Sequence, residues 1–590
     1  MSWKKKNVAL RAFSWALVLC FLWTAQVWGS AAEEYRRGVD FGRHYADQIR
    51  INVDRMKERA ALRGADMEEA LRAAGASEAL YEKILPSKVA WMKGAAEGSG
   101  ASYQDILLFN TVDRALRGFE GECTTFVANG KALASGKGTI VAKNRDLGAD
   151  TVSEIGLHHP SRHPADALYK AAYIDLPQVE ETFKFVGSRS AGRWGYGMGV
   201  NEHQVVVADN DAPTREKLAF KEGLHDNDYV RLILERARTA REGVEVLATI
   251  TEKYGQAWNA IMFEIGDPEE VWVVEVAGYR WVAKKYDDTV TVRTNQLQIQ
   301  DDYDLASEDL VSFARENGWV EEGKDRIDFR AVYGTYDLYP SDNENFAQRP
   351  AVEKLFNTER RYQRGMELLQ AAEGNVTPQK IIPMMRDHYD TYTLPGGKAL
   401  EMNQTPFYSS EHADLQEWVG KWPEKDTTEH PLYVRAICHH GMGGVTAASG
   451  IMVARPDVPD QLGLMLHSYR QPCLGTFVPF YVGIDSVPEA YGTPEAGSKF
   501  LKIGKTALGS HSLYHGPVRK VFDPFEAKLF PEMEGVEKEF TDMARAGNEE
   551  KAEAFLTDYV RTVCAEVLDL ADKAWESAVE AAAESSSWSR

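Results

Sequence analysis

The sequence predicts an α+β fold, and three observations lead to this class. A helical leader covers residues 31–122, strand-like segments begin at Cys123, and an acidic, alanine-rich helical tail ends the chain. Groups of helices on either side of a group of strands are typical of α+β proteins. The segments are justified below in chain order.

The first 30 residues differ from the rest of the chain and predict a cleaved signal peptide. Four basic residues, the last of them Arg11, precede an apolar run over residues 13–27, and small residues follow at 29–32. The apolar run is shorter than the about 20 residues that span a membrane. We therefore expect export to the periplasm or the medium, with no stable membrane insertion after cleavage. An uncleaved N-terminal anchor is the alternative.

Residues 33–110 predict helices, because Ala, Leu, Glu and Arg are abundant and helix breakers are few. The segment MEEALRAAGASEALYEKILPSKVAWMKGAAEGSG has apolar positions at helical spacing. Helix formation is expected to stop at Gly98–Gly100.

From Cys123 onward the pattern changes to strands. The segment CTTFVANGKALASGKGTIVAKNRD has two β-rich runs on either side of a Gly- and Ser-containing turn, which predicts a hairpin. Further strand-like runs cover residues 196–208, 271–276, 280–294 and 432–482, residues 300–430 mix helices with polar loops, and residues 540–583 predict the helical tail. We therefore predict a signal peptide at 1–30, a leader at 31–122, a main domain at 123–535 and a tail at 536–590.

Composition and charge exclude several classes of protein. The 590 residues are 44% hydrophobic, which excludes a disordered chain. The formal net charge is −21, which argues against nucleic acid as a partner because phosphate binding requires positive charge. An acidic surface favours neutral or cationic substrates only weakly, through steering.

Four cysteines follow the predicted signal peptide, namely Cys123, Cys438, Cys473 and Cys564. Cysteines tend to pair in an oxidising compartment, and Cys438 and Cys473 are close enough in the sequence to bridge, but sequence does not decide connectivity. Four cysteines are too few for a disulfide scaffold in a chain of this length. We expect packing to supply the stability.

Cys123 is the candidate nucleophile. The simplest interpretation of an arbitrary cysteine in a strand is a small buried residue. Here the leader ends where the cysteine begins and a hairpin follows it. Asn144 and Asp146 fall at the end of the second strand, where we expect their side chains to face back towards the cysteine.

These motifs resemble the cysteine N-terminal-nucleophile (Ntn) hydrolases, whose first hairpin starts at Cys-Thr and closes at Asn-x-Asp. The stretches GYGMGVNEHQVVVADND, EEVWVVEVAGYRWVAKKYDDTVTVRTNQLQI and NTERRYQRG resemble three later segments of the same enzymes. The segments SEDLVSFARENGW, DFRAVYG and MRDHYD resemble the dipeptidase A branch. The leader segment GAAEGSGASYQDILLFN resembles the propeptide of the penicillin acyl-coenzyme A acyltransferase branch.

The resemblance implies a four-layer αββα sandwich, with the leader as a propeptide that the protein severs by its own chemistry. It also implies roles for individual residues. These are Cys123 as nucleophile, Asp146 as the carboxylate that orients the amine and thiol, Asn210 as an oxyanion donor, Asn295 as a second asparagine near the amine, and Arg361 as the arginine that steadies the nucleophile's surroundings.

The chemistry explains these residue types. Cleavage of the Glu122–Cys123 bond would give an α-amino group with a pKa of about 7.7–8.0 beside the thiol, and this amine would serve as general base. Attack on an amide forms an oxyanion, and losing one fixed donor to it costs about 3–4 kcal/mol of barrier. We expect hydrolysis of amide C–N bonds in dipeptides or small N-acyl compounds through an acyl-thioester, with no metal and no organic cofactor.

Some assignments stay open at this level. At Asn210 the register also allows Asp209 or Asn201, although Asn201 in its Gly-Val-Asn-Glu turn is most simply a residue that tolerates a positive φ angle. The position before Asn144, often arginine in the family, is Lys143, which keeps the charge and loses the bidentate fork.

Other constellations compete with Cys123. His439 and His440 follow Cys438, but adjacent residues of a strand point to opposite faces, which argues against a Cys-His pair. The histidines of residues 158–163 lack the spacing of a known metal motif. Surface histidines are the simpler interpretation of that loop.

Two other functions are compatible with the sequence. One is an acyltransferase, which shares the acyl-enzyme but passes the acyl group to an amine. The other is a secreted binding protein that kept the fold and lost the chemistry, and it predicts an intact Glu122–Cys123 bond. The expected partner is a small amide or dipeptide substrate, and a homo-oligomer is compatible with the chain.

Overall fold

The chain divides into two units, residues 1–116 with 160–182 and residues 117–159 with 183–590. The structure is a computed structural model. It describes residues 31–62 except 33, and 65–84, 86–111, 122–148, 151–162, 168–170, 175–177, 179, 181–216, 224–256, 260–334, 358–388, 391–393, 399–401, 436–440, 445–507 and 511–587. The predicted signal peptide lies outside the described residues.

The first unit is mainly helical, as the leader sequence predicts. After a helical segment over residues 34–44, its helices are Ala46–Leu62 (α1), Met67–Ile84 (α2), Pro86–Ser99 (α3) and Tyr103–Thr111 (α4). Helix α3 ends at the predicted glycines, because Gly100 has a φ of 72°, which favours glycine. Residues 163–167, which include His163, lie outside the described part of this unit.

Small residues let two helices of the first unit approach closely. A β-carbon at Gly38 would lie 2.2 Å from the carbonyl oxygen of Trp91, and one at Gly94 would lie 2.1 Å from that of Tyr35. Such distances are well inside van der Waals contact, so only glycine fits at these two positions. The helical segment 34–44 and α3 therefore pack backbone against backbone.

The second unit contains two antiparallel sheets. The six-stranded sheet has the order β14-β1-β2-β18-β19-β20, and the eight-stranded sheet has the order β15-β13-β12-β11-β10-β9-β8-β3. The strands of the six-stranded sheet are β1 Glu122–Asn129, β2 Thr139–Leu147, β14 Val290–Arg293, β18 Val445–Ala454, β19 Leu464–Tyr469 and β20 Val478–Tyr481. The strands of the eight-stranded sheet are β3 Ser153–His158, β8 Phe185–Ser190, β9 Met198–Asn201, β10 Val206–Ala212, β11 Ala260–Gly266, β12 Val271–Ala277, β13 Arg280–Tyr286 and β15 Leu305–Ala306. A further short pair of the second unit joins β16 Thr391–Thr393 to β17 Ala399–Glu401. The first unit also has two short pairs, β4 Ser161–Arg162 with β7 Glu181–Thr182 and β5 Leu168–Lys170 with β6 Asp175–Pro177.

The predicted hairpin after Cys123 is confirmed. Strands β1 and β2 pair antiparallel from Glu122 opposite Asp146 to Asn129 opposite Thr139. The connection uses glycines with positive φ at 130, 136 and 138. Two of the predicted strand runs each form two strands, because turns at Gln204 (φ 58°) and Asp288 (φ 53°) interrupt them.

The α+β class is confirmed, and both sheets contribute to one hydrophobic core. That core contains Phe126 and Val141 of the six-stranded sheet and Met198 and Val206 of the eight-stranded sheet. The four-layer arrangement stays a prediction.

Helices complete the second unit. They are α5 Asp226–Arg236, α6 Ala240–Tyr254, α7 Leu310–Glu316, α8 Phe329–Tyr333, α9 Thr358–Ala371, α10 Pro378–Met385, α11 Pro494–Ala507, α12 His511–Arg545 and α13 Glu549–Ser587. In the part of the chain that the structure describes, none of the helices combines the length and apolar character that a membrane crossing requires.

The tail is not a separate element from residue 536. Helix α12 runs without a break through that position, so the predicted boundary falls inside a helix. Phe540, Leu556 and Val560 are buried in the core that the two sheets share. The tail packs on the main body because its helices have an apolar face that the acidic composition concealed.

Candidate active site

Cys123 is the second residue of β1 and lies inside the six-stranded sheet. It is opposite Arg145 of β2, while Glu122 is opposite Asp146. On the other side, β14 pairs with β1 only from Thr125 onward. The Cys123 side chain is buried, with 6% of its surface exposed. The backbone N–H of Cys123 therefore needs a partner other than the β14 ladder.

Asn295 supplies that partner. The backbone N–H of Cys123 donates to Asn295 Oδ1 at 2.8 Å, and Asn295 Nδ2 donates to the carbonyl oxygen of Asp211 at 2.9 Å. Asn295 lies two residues after the end of β14. Its side-chain amide therefore accepts the hydrogen bond of the Cys123 backbone N–H at the point where the backbone of β14 no longer pairs with β1. The nitrogen that cleavage would convert to an α-amine is thus held by the asparagine that the resemblance implied.

Arg361 of α9 is completely buried and binds the same group from the helix side. Its Nη1 donates to the carbonyl oxygen of Cys123 at 2.7 Å and to Thr124 Oγ1 at 2.9 Å, and its Nη2 donates to Asn295 Oδ1 at 2.7 Å. Asn295 Oδ1 therefore accepts from both Arg361 and Cys123. This double contact fixes which end of the amide faces the cysteine, because the Nδ2 end can only donate.

Asp146 lies beside the bond that is predicted to be cleaved, since its Cα is opposite that of Glu122. The carboxylate is buried and accepts a hydrogen bond from Thr446 Oγ1 at 2.6 Å. Its negative charge is one of the causes that raise the pKa of Cys123, so the carboxylate is within electrostatic reach of the thiol. In the register of the hairpin, however, Asp146 lies next to Arg145 and therefore on the opposite face of β2 from the thiol. The expectation that its side chain faces back towards Cys123 is wrong, and its orienting role stays a prediction.

Asn144 does not face the cysteine, and that expectation is wrong. Its Nδ2 donates to the carbonyl oxygens of Met385 and Ile437, both at 2.8 Å, and its Oδ1 accepts from Ser449 Oγ at 2.7 Å. The reason is alternation: Cys123 is opposite Arg145, so the thiol shares the face of Arg145, and the neighbouring residue of β2 points the other way. Asn144 anchors the segments on that other face.

Asn210 of β10 reaches the same side of β1 as the thiol. Its Oδ1 accepts from Thr125 Oγ1 at 2.6 Å, and its Nδ2 donates to the carbonyl oxygen of Arg293 at 3.2 Å. Thr125 is two residues from Cys123, so the two side chains share a face of β1. The structure therefore places Asn210 near the site, as the resemblance implied.

Neither alternative to Asn210 occupies its position. Asn201 Nδ2 donates to the carbonyl oxygens of Leu234 and Ala237, so its side chain ties a turn to α5. The positive φ angle expected at Asn201 is wrong, because Asn201 is the last residue of β9 and Gln204 adopts the left-handed conformation instead. Asp209 forms an ion pair with Lys143.

Lys143 and Asp209 form a buried pair that sequence reasoning only touched on. Lys143 is 1% exposed and donates to Asp209 Oδ1 and, at 3.1 Å, to the carbonyl oxygen of Gly197. Burial acts to lower the pKa of Lys143, but the charge and the hydrogen bond of Asp209 act to raise it, and the net shift is upward. A sequence signal for this pair was available. Lys143 ends the otherwise apolar run TIVAK, and a buried lysine is almost always paired with an acidic residue.

The environment keeps the Cys123 thiol protonated in the uncleaved chain. Burial raises the pKa of Cys123 to about 12, the charge of Lys143 lowers it, and Asp146, Asp209 and Asp211 raise it. A thiol of this pKa has almost no thiolate at neutral pH. It therefore needs a base in direct reach before it can act as a nucleophile.

A second group of reactive side chains lies on the far face of β2. The ligand atoms of His388, Cys438, His440 and Cys473 all lie within 4.8 Å of one another, and all four residues are buried. Strand alternation separates only adjacent residues, so it did not rule out a contact between Cys438 and His440, whose Sγ and Nε2 atoms lie 3.4 Å apart. These four residues could hold a metal ion.

The other sequence candidates have structural partners. His158 stacks on Phe185 with ring centres 4.9 Å apart, and its Nε2 lies 3.5 Å from Glu235 Oε1. None of the four cysteines in the described residues forms a disulfide, including Cys438 and Cys473.

Comparison with known proteins places the chain among peptidases. A model of the family described as "Peptidase family C69" matches residues 122–501, a match that starts one residue before Cys123. A protein of Latilactobacillus sakei described as "Probable dipeptidase" is 25% identical over 395 residues, which are 62% of this chain and 76% of the relative. A protein of Lactococcus lactis subsp. lactis (strain IL1403) described as "Probable dipeptidase B" is 24% identical over 390 residues, 63% of this chain and 77% of the relative. The resemblance to the dipeptidase branch is confirmed.

Two solved structures are similar over a comparable share of the chain. A mutant of conjugated bile acid hydrolase from Clostridium perfringens covers 59% of this chain and 89% of its own, with 13% identity and a TM-score of 0.27. Penicillin V acylase from Agrobacterium tumefaciens covers 61% of this chain and 86% of its own, with 11% identity and a TM-score of 0.28. At these scores the likeness adds nothing to the argument from the site.

Proposed function

Because the chain belongs to peptidase family C69, we propose that it is an exported, self-processing cysteine amidase that hydrolyses C–N bonds of dipeptides or small N-acyl compounds through a thioester on Cys123. The observation that supports this most directly is the contact of the Cys123 backbone nitrogen with Asn295, which Arg361 also binds. The two relatives described as dipeptidases favour dipeptides as the substrate class.

The first proposed step is cleavage of the chain by Cys123 itself. The sulfur attacks the carbonyl carbon of Glu122, an S–C bond forms, and the C–N bond between Glu122 and Cys123 breaks. The thiol proton passes to the nitrogen, which becomes an α-amine, and water then hydrolyses the thioester, which restores the thiol and releases the leader's carboxyl group. The amine inherits the acceptor that its backbone N–H already has, Asn295 Oδ1.

Each turnover then uses this amine as the base. It accepts the thiol proton, the thiolate attacks the substrate carbonyl carbon, and the leaving amine carries the proton away as the thioester forms. Water, activated by the same amine, hydrolyses the thioester and restores the thiol. An amine with a pKa of about 7.7–8.0 is suited to this at neutral pH, and it can take the proton of the thiol, whose pKa burial raises.

We assign the oxyanion contact to Asn210. An amide NH2 group has two N–H bonds, and the hydrogen bond to the carbonyl oxygen of Arg293 uses one of them. Thr125 fixes the amide orientation by donating to its oxygen. The second N–H is the donor that we assign to the developing negative charge.

Intact mass and N-terminal sequencing of protein expressed from the full chain test this proposal. The wild type should show a new N-terminus at Cys123, and Cys123→Ala should keep the leader attached. Cys564→Ala is the matched control, because Cys564 is equally buried but lies in α13. If wild type and Cys123→Ala have the same mass and the same amidase activity, the proposal fails.

Activity assays separate the remaining alternatives. A panel of dipeptides, N-acyl amino acids and penicillin V should show release of an amine that depends on Cys123. An added amine acceptor reveals acyl transfer if the acylated acceptor replaces the free acid as the product. An intact Glu122–Cys123 bond with no turnover of any substrate would instead support a binding protein. Fractionation of an exporting host, with the leader's N-terminus sequenced, tests export.

A further inference from the structure

His388, Cys438, His440 and Cys473 come from three separate segments of the second unit. His388 follows α10, Cys438 and His440 lie in the segment 436–440, and Cys473 follows β19. His388 and His440 are 52 positions apart in the sequence, and His440 and Cys473 are 33 apart. These separations match no ligand spacing of a known metal motif, so the sequence pattern does not reveal the cluster.

The contacts converge on one atom. His440 Nε2 lies 3.2 Å from His388 Nε2, 3.4 Å from Cys438 Sγ and 3.2 Å from Cys473 Sγ. A ring nitrogen either donates one hydrogen bond or accepts through one lone pair, so it cannot satisfy three neighbours at once. Hydrogen bonding within the cluster therefore does not explain the convergence.

We propose that these four residues bind a zinc ion in a tetrahedral Cys2His2 site. Zinc binds thiolate sulfur at about 2.3 Å and imidazole nitrogen at about 2.0–2.1 Å, so the edges of the ligand tetrahedron measure about 3.3–3.8 Å. The three measured separations are 3.2–3.4 Å, and no pair of ligand atoms exceeds 4.8 Å. Two sulfur and two nitrogen ligands with no carboxylate favour zinc over calcium or magnesium.

Charge balance favours the same occupant. All four side chains are buried, between 0% and 7% exposed. Two buried thiolates without a cation would be costly. Two thiolates and a dication sum to zero charge, so zinc would let both cysteines ionise in the interior.

The zinc site would stabilise β2, and with it the candidate active site, from the face of β2 on which Asn144 lies. Asn144 donates to the carbonyl oxygens of Met385 and Ile437, each close in sequence to a ligand. The N–H of Cys438 donates to the carbonyl oxygen of Asp387 at 3.1 Å, which joins two of the ligand segments directly. The four ligands have no open position for substrate, so the ion is structural and supports the strand that contains Asp146.

Metal analysis of untagged protein tests the proposal. The wild type, expressed with zinc available, should contain about one zinc ion per chain, and Cys438→Ser should lose it. Cys564→Ser is the control and should keep the zinc, because Cys564 is buried in α13 away from the cluster. A wild type with no more zinc than Cys438→Ser would overturn the proposal.

Cobalt substitution keeps the test valid even if Cys438→Ser fails to fold. Wild-type protein freed of zinc by a chelator and reloaded with Co2+ should show the thiolate-to-cobalt charge-transfer and visible bands of a tetrahedral site. Cys123→Ser should show the same bands, which excludes binding at the nucleophile. Absence of the bands in wild type would contradict the proposal, as would a Cys438–Cys473 disulfide in non-reducing peptide maps of metal-replete protein.

Discussion

Arg361 donates hydrogen bonds to the Cys123 carbonyl, to Thr124 and to Asn295, and Arg361→Lys tests whether this bridge supports catalysis. Lysine keeps the charge but has a single nitrogen. Placed where Nη1 lies, that nitrogen can serve the first two acceptors and loses the 2.7 Å bond to Asn295 Oδ1. A hydrogen bond from a charged donor contributes about 1.5–3 kcal/mol. No discount for solvent applies, because Arg361 is completely buried.

If this loss appears fully in the transition state, kcat for amide hydrolysis by the processed protein falls about 10- to 150-fold. KM should change little, because we assign Arg361 to positioning Asn295 rather than to binding substrate. The control is Arg364→Lys on the same helix, whose arginine pairs with Asp387 and Glu367, and this variant should lose no more than about threefold in kcat. Equal losses in both variants, or an Arg361→Lys enzyme as active as wild type, would refute the reasoning.

The pH profile gives a second measurement on this residue that a purely structural role would not change. Arg361→Met removes a positive charge next to the α-amine, and a nearby cation disfavours protonation of an amine. The pKa of the amine should therefore rise, and the acid limb of kcat should move to higher pH. Arg361→Lys, which keeps the charge, should leave the limb in place, so a shift in both variants or in neither would contradict the assignment.

Three further substitutions test the interior of the site. Thr446→Val removes the hydroxyl that donates to Asp146 at 2.6 Å. It should lower the free energy of unfolding by about 1–3 kcal/mol and slow release of the leader. Unchanged processing, measured by intact mass, would argue against Asp146 as the orienting carboxylate. Glu264 has no hydrogen-bond partner for either carboxylate oxygen among the described residues, and burial raises its pKa to about 8. Because the folded state holds this proton more tightly than the unfolded chain, the free energy of unfolding should fall as pH rises from about 5 to 8, by up to about 1.4 kcal/mol per pH unit. In Glu264→Gln the urea midpoint of unfolding should depend less on pH over this range. An unchanged pH dependence of the midpoint would disprove the prediction. Lys143→Met leaves the buried charge of Asp209 without its partner and should lower the free energy of unfolding by about 3–5 kcal/mol, whereas Lys143→Arg should cost much less. A Lys143→Met protein within about 1 kcal/mol of wild type would contradict a stabilising role of the ion pair.

The hairpin after Cys123 was predictable because its information is local. Two β-rich runs and the glycine-containing turn between them indicate both strands, which pair from Glu122 opposite Asp146 to Asn129 opposite Thr139. Cys123, Asn210, Asn295 and Arg361 were also within reach, because the resemblance placed each on a recognisable motif. Hydrogen bonds join Cys123, Asn295 and Arg361, and Asn210 binds Thr125 on the same face of β1 as the thiol.

The errors have a common cause, which is that the direction of a side chain depends on partners far away in the sequence. Asn144 was expected to face Cys123, but pairing with β1 turns it towards Met385 and Ile437. The argument against a Cys-His pair covered only adjacent residues, whereas the contact that forms joins Cys438 to His440, two positions on. The tail boundary fell inside α12, because acidic composition gives no measure of how an apolar face packs.

The sequence by itself determined the α+β class, the hairpin that begins at Cys123, and the identity of the residues proposed to act there, since each depends on neighbouring residues or on a motif. Only the tertiary structure decided that Asn295 takes over the Cys123 amide where β14 ends, that Lys143 pairs with Asp209, and that two cysteines and two histidines from three segments meet at one point. The physical reason is that these contacts join positions tens to hundreds of residues apart. Their geometry is set by strand register and helix packing, which no local pattern specifies.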